Sequence, residues 1–278
     1  MHKEIIRWYS RHKRELPWRD TTPWGILVSE FMLQQTPVSR VLPIWNQWME
    51  RWPTPKDLAN TPRADVIRAW GNLGYPRRAI RLHETACKIM SEHEGVVPDN
   101  EVLLRSLPGI GEYTAAAVVS FAFKKKSLVL DTNIRRLFSR AIEGNEYPPM
   151  HITNLERKRR ASLIPKQAAT WAAAIMELGA LICTAKDPGC EKCPIRKSCS
   201  WRKKGFPKTL TLKTSQVWHG SSRQCRGVIM KALRSYSSMT YETLKANWPD
   251  ESQFENAIQS LVEDRLIIKH KNMYQLIE

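Results

Sequence analysis

A chain of 278 residues, 42% of them hydrophobic, is long enough for two or three modest domains with their own cores and too apolar to be disordered. Its 44 Lys and Arg outnumber 27 Asp and Glu, a formal charge of +17 at pH 7. That surplus favours a polyanionic partner, nucleic acid first; a basic ribosome-associated or merely soluble protein is the bland alternative.

The amino-terminal stretch MHKEIIRWYSRHKRELPW has no signal-peptide core, and no apolar run reaches the length of a membrane span. The expectation is a cytoplasmic protein with no membrane contact, in a compartment where structural disulfides are rare. From Ile5 to about Ile142 the pattern is of short helices broken by Pro and Gly, as in VLPIWNQWMERW and ADVIRAWGNLGY. Trp45, Trp48, Trp52 and Trp70 recur at helical spacing and read as core. Glu30 stands alone in the apolar helical stretch LVSEFMLQQTPV. Desolvation there would raise its pKa and keep its proton near neutrality; a solvent-facing Glu on an apolar helix is the dull alternative.

LPGIGEYTAAAVVSFAF begins at Leu107. Gly109 and Gly111 permit a tight hairpin with outward N–H groups, and the positive end of the following helix adds to an anion site that clasps a phosphate without reading its base. Alone, such a PGIG turn is equally a plain helix connector. About twenty residues on, LVLDTNIRR sets Asp131 where a helix N-cap belongs. From Gln167, QAATWAAAIMELGALIC is one apolar helix leading into a cysteine cluster.

That cluster, Cys183, Cys190, Cys193 and Cys199, has the spacing C-x6-C-x2-C-x5-C. Zinc accepts four sulfurs, but its common sites use two CxxC knuckles around a longer insert. So compact and asymmetric a loop suits a cubane iron–sulfur cluster at least as well. Lys186, Lys192, Arg196, Lys197, Arg202, Lys203 and Lys204 make the loop a candidate phosphate-backbone contact or, more blandly, a solvated surface. After Phe206 comes a linker rich in Lys, Ser and Thr, then three helix-like segments and a hairpin turning near Lys271 and Asn272, together a small winged-helix-like module. Cys87 and Cys225 read as buried thiols.

LPWR, SEFMLQQT, LGYPRRAIRLH, LPGIGEYTAAAV, LDTNIRR, MELGALICT and the four-cysteine loop follow one another over residues 5–204. In that order they resemble the helix–hairpin–helix DNA glycosylases of the endonuclease III superfamily, and among them the MutY adenine glycosylases in a short, actinobacterial-like form. The resemblance implies a mainly α, two-lobed fold: a six-helix module over residues 22–128, and a cluster lobe from residues 1–21 and 129–206, with the active site between them. Residues 207–278 form the linker and winged-helix-like module. It implies one four-iron, four-sulfur cluster on the four cysteines, and a monomer working in the nucleoid on double-stranded DNA with adenine opposite 8-oxoguanine or guanine. The implied reaction is hydrolysis of the bond between that adenine and its deoxyribose, after the base leaves the stack.

By resemblance, Glu30 is the acid that protonates adenine, Asp131 the carboxylate that stabilises the oxocarbenium-like sugar, Tyr113 a neighbour of both and Asn133 an active-site amide. Tyr113 stands where bifunctional endonuclease III carries a Schiff-base lysine, so a monofunctional glycosylase is expected. Thymine-mismatch relatives share the Tyr and Asp but generally lack the glutamate, so Glu30 favours adenine. Gln35 and Tyr75 match residues that enter the duplex, Trp18, Arg19, Leu33 and Glu177 residues lining the adenine pocket, and Thr36 a contact to the opposite base. Two departures stand out. Pro76 replaces a common second tyrosine, and the long carboxy-terminal domain with which many members read 8-oxoguanine is not recognisable, leaving His219 and Ser221 as candidates to reach the lesion. The competing readings are an endonuclease III-like glycosylase/lyase for damaged pyrimidines and a non-catalytic iron–sulfur DNA-binding protein.

Overall fold

The computed structural model describes residues 1–209 and 218–278; the linker expected around 210–217 lies outside the described residues. The described chain is mainly helical. Its helices are α1 (His2–His12), α2 (Pro23–Leu33), α3 (Val38–Arg51), α4 (Pro55–Ala59), α5 (Arg63–Trp70) and α6 (Arg77–Glu92), then α7 (Glu101–Ser106), α8 (Glu112–Phe123) and α9 (Thr132–Phe138). They continue with α10 (Asn154–Ala161), α11 (Ala168–Leu181), α12 (Ser200–Lys203), α13 (Ser222–Ser235), α14 (Tyr241–Lys245) and α15 (Glu251–Glu263). Many starts are set by side-chain caps: Thr54 and Asp57 form a capping box on α4, and Asp131, Thr153, Ser221 and Asp250 cap α9, α10, α13 and α15. A π-helical turn, Ser139–Glu143, follows α9 directly. Such turns widen a helix by one residue and recur at functional sites.

The contacts divide the chain into two units. One comprises Met1–Ile26, Asp99–Arg105 and Ile110–Leu212. Its core joins Ile5, Trp8 and Tyr9 of α1 to Ala116 and Ala117 of α8, Ile134 and Leu137 of α9, and Trp171, Ile175 and Leu178 of α11. α8 and α11 are apolar nearly all round, as helices enclosed on most sides must be. Alanine-rich faces let them approach closely. α11 also meets α9 closely at Gly179, where a Cβ would lie 2.8 Å from the Asn133 Cβ and 2.9 Å from its carbonyl oxygen.

The other unit comprises Leu27–Pro98, Ser106–Gly109 and Lys213–Glu278. Trp48 meets Trp52 and Trp70 edge-on, ring centroids 4.7 and 5.4 Å apart, so the tryptophan periodicity marks core. The winged-helix-like segment belongs to this same unit. Ala64, Ile67 and Ile80 share one cluster with Cys225, Ile229, Leu233, Phe254, Leu261 and Tyr274, and Arg77 pairs with Asp264 at 3.1 Å. The terminal hairpin, β2 (Ile267–His270) with β3 (Met273–Leu276), turns at Lys271, and a two-residue strand, β1 (Met239–Thr240), pairs with the other edge of β3. That third strand was invisible in the sequence, because two residues carry no period. Cys225 is fully buried, and burial pushes its thiol up to about 11, as befits a core residue.

Candidate active site and cysteine loop

Glu30 lies in α2 among Leu27, Val28, Phe31 and Met32 and is only 6% exposed. A carboxyl at such a position has lost most of its water. Asp131 caps α9: its Oδ1 accepts from the Ile134 N–H at 2.6 Å and its Oδ2 from Asn133 Nδ2 at 2.7 Å. Asn133 Oδ1 in turn accepts from Arg136 at 2.9 Å. Arg136 also donates to the carbonyls of Gly179 (2.7 Å) and Cys183 (2.8 Å), so one chain of hydrogen bonds runs from Asp131 to the first cysteine. Burial pushes the Asp131 carboxyl above its ordinary value, against the pull of the Ile134 and Asn133 hydrogen bonds. Tyr113, in the first turn of α8, packs against the core that holds α9.

Leu33, Gln35, Thr36 and Tyr75 come together on two loops of one unit. Gln35 and Tyr75 both have left-handed backbones, φ 54° and 49°, and exposed side chains. Leu33 is half-buried at the end of α2. Thr36 is buried, its hydroxyl donating to the Leu73 carbonyl at 3.1 Å. Trp18 and Arg19 occupy a short 3₁₀ turn, Pro17–Arg19, with Trp18 buried. The Glu177 carboxylate accepts from the Arg14 backbone N–H (2.8 Å), from Arg14 Nε and Nη2 (3.0 and 2.7 Å) and from Arg19 Nη2 (2.9 Å). Burial pushes Glu177 up, but the Arg14 hydrogen bonds and the charge of Arg19 outweigh it, and the net displacement is downward. Two of the four residues matched to the base pocket, Arg19 and Glu177, thus form with Arg14 one ion-paired group that ties the amino-terminal segment to α11.

In the hairpin, Gly109 has φ +77°, and a Cβ there would lie 2.8 Å from the Arg81 Cβ and 3.0 Å from a Phe31 ring carbon. Both facts demand glycine. Thr85 Oγ1 fixes the neighbouring Pro108 carbonyl at 2.6 Å, and Leu107 is buried. Gly111 caps α8 with nothing within 4 Å of where a Cβ would be, so the backbone of the turn is open to close approach there. The turn can meet an anion closely.

Cys183, Cys190, Cys193 and Cys199 are all free thiols and line one cavity, with Leu137, Ile195 and Trp201. Among the described residues no three Cys, His, Asp or Glu are gathered as tightly as a single-ion site requires. Burial pushes the Cys193 thiol up to about 11 and raises Cys190 as well, so both are protonated at neutrality. Arg140, 1% exposed in the π-helical turn, reaches the same cavity, 3.6 Å from the Cys183 sulfur. Arg78 and Arg140 escaped the sequence reading.

Residues 28–160 match the model of the HhH-GPD superfamily base excision DNA repair protein. The chain is 47% identical over 270 residues to an adenine DNA glycosylase of Mycolicibacterium smegmatis, covering 95% of this chain and 91% of that one. To the human adenine DNA glycosylase it is 36% identical, over 72% of this chain and 39% of that one. Among solved structures, a thermostable thymine-DNA glycosylase superposes with a TM-score of 0.67 at 30% identity, covering 73% of this chain and 94% of that one. A trapped endonuclease III–DNA intermediate, 24% identical with a TM-score of 0.63, shares the fold over 74% of this chain and 95% of that one. The chain belongs to the HhH-GPD superfamily of base excision DNA repair proteins.

Proposed function

We propose that this protein is a monofunctional adenine DNA glycosylase of base excision repair, acting as a monomer in the cytoplasm and nucleoid on adenine opposite 8-oxoguanine or guanine in duplex DNA. The observation that carries this reading is the likeness to the mycobacterial adenine DNA glycosylase over 95% of the chain, carboxy-terminal module included. The residues agree in chemical kind. Glu30, desolvated in α2, gives its proton to a ring nitrogen of the extruded adenine, and the glycosidic electron pair leaves with the base. Asp131, ionised, faces the cationic sugar and lowers the energy of the oxocarbenium-like state. Water then adds to the sugar and its proton returns to Glu30, leaving an abasic site and free adenine. With Tyr113 in place of a lysine, no amine is set to form a Schiff base and cut the strand.

The four thiols on one cavity fit a four-iron, four-sulfur cluster held by Cys183, Cys190, Cys193 and Cys199. When bound it supplies four ligand bonds that pin the basic loop and leave no open position for substrate. Exposed Lys186, Lys192 and Lys197 are then held out toward a phosphate backbone. Gln35 and Tyr75 enter the stack, and the hairpin of Leu107, Gly109 and Gly111 clasps a phosphate.

Glu30→Gln tests the reading. It is expected to lower single-turnover adenine release by about 10²- to 10⁴-fold while binding to the mispaired duplex persists. A fully active variant would remove Glu30 from the chemistry, and release of thymine or an oxidised pyrimidine by wild type, with no adenine, would move the assignment to another glycosylase of the superfamily.

A further inference from the structure

The loops bearing Gln35 and Tyr75 converge on one side chain. Arg78, in the first turn of α6, donates through Nη1 to the carbonyls of Phe31 (3.0 Å), Met32 (3.1 Å) and Gln34 at the end of α2. Through Nη2 it donates to Thr36 Oγ1 (2.9 Å) and to the carbonyls of Leu73 (3.3 Å) and Gly74 (3.0 Å) before α6. The Thr36 hydroxyl completes the lacing through Leu73, and Arg40 binds the Asn72 carbonyl. The guanidinium also lies over the rings of Trp70 and Tyr75, 5.3 and 5.5 Å from their centroids.

Three physical facts give this arrangement a purpose. The last carbonyls of a helix have no intrahelical partner, and a planar fork of donors satisfies several at once where an ammonium cannot. A left-handed backbone at Gln or Tyr costs about 1 kcal/mol or more and persists only where its surroundings over-determine it. Both strained residues carry exposed side chains. A wedge that forces a base from its stack must resist the stack's push, so its backbone has to be stiff before it meets DNA.

We propose that Arg78 is the positioning residue for duplex entry: it locks both loops so that Gln35 and Tyr75 act as one rigid two-pronged wedge. This rests on the reading of Gln35 and Tyr75 as the inserting residues, and the experiment separates the two. The full chain, carrying Glu30→Gln to stop excision, is mixed with a duplex holding 2-aminopurine opposite 8-oxoguanine. The fluorophore brightens on leaving the stack. Arg78→Lys keeps the charge and loses the fork. It is expected to slow the rise by about 10- to 100-fold, while affinity for fully paired duplex stays near that of the parent. An unchanged rise in folded Arg78→Lys overturns the proposal. So does an equal loss of affinity for fully paired duplex, which marks general damage to the fold. Gln35→Ala and Tyr75→Ala run alongside. If neither slows the rise, the inserting residues are misassigned and the proposal falls with them. If they slow it and Arg78→Lys does not, the brace alone is refuted. Should Arg78→Lys not accumulate folded, Arg78→Gln, which keeps two donors, is read by the same criteria.

Discussion

Two irregular segments of this molecule, the paired loops around Gln35 and Tyr75 and the cysteine loop, are each built on one arginine, yet differently. Arg140 is enclosed. It donates to the carbonyls of Glu146 (2.9 Å), Thr184 (2.7 Å) and Ala185 (3.2 Å), and its guanidinium lies 4.6 Å from the Trp201 ring centroid. Its loop also carries four cysteines that share its cavity. Arg78 is half-open, and its two loops are joined besides by the Thr36 and Arg40 hydrogen bonds. Burial draws Arg78 down to about 10, still charged at neutrality. The cysteine loop is therefore secured for permanence, and the wedge loops for stiffness at a working edge.

The comparison can be broken. Arg140→Leu takes the donor from the Glu146 and Thr184 carbonyls, while Ala185 keeps the Tyr147 hydroxyl, and is expected to destabilise its unit by about 3–5 kcal/mol in denaturant unfolding, whereas Arg78→Lys is expected to cost about 1 kcal/mol and act on base extrusion instead. Equal stability losses would erase the distinction. Glu177 inverts the design, one carboxylate gathering two arginines. Glu177→Gln is expected to cost about 2 kcal/mol at pH 7. Because the folded state holds Glu177 below its ordinary value, its contribution is present above the unfolded carboxylate pKa and fades as pH falls through the lowered folded one. A wild-type–variant difference that grows on acidification would contradict this.

The smallest expected effect has the opposite sign. Burial raises Asp131, so its ionised form is a burden that grows as pH rises from the unfolded pKa through the raised folded one. Asp131→Asn keeps the acceptor for the Ile134 N–H and removes that burden, at the loss of the bond from Asn133 Nδ2. Its thermal midpoint at pH 7 should exceed the wild-type value and converge with it in acid, while adenine release collapses. The acid limb of wild-type turnover should lie above the ordinary aspartate pKa of about 3.9. A less stable, fully active Asp131→Asn would remove the residue from the chemistry.

Local signals in the sequence read well. Asp131 before TNIRR announced its cap, the tryptophan spacing announced core, and Lys271 and Asn272 announced the terminal turn. What stayed hidden depends on partners far along the chain. Nothing near Arg78 says that the carbonyls of residues 31–34 will arrive beneath it, and nothing near Arg140 foretells Thr184 and Ala185. Arg135, Arg136, Arg140 and Arg160 are buried and bonded to internal carboxylates or carbonyls, so the surplus of +17 overstates the cations free to meet phosphate. The packing likewise joins the helices and hairpin after residue 218 to the segment of Ile67 through Ile229 and Phe254, contacts that composition alone does not announce.

The most direct test is single-turnover cleavage by iron-loaded protein of duplexes carrying adenine opposite 8-oxoguanine, guanine, cytosine or thymine, read with and without alkali. The account predicts adenine release opposite 8-oxoguanine and guanine, with strand breaks appearing mainly after alkali. Adenine retained in every duplex, or breaks of equal yield without alkali, would contradict it.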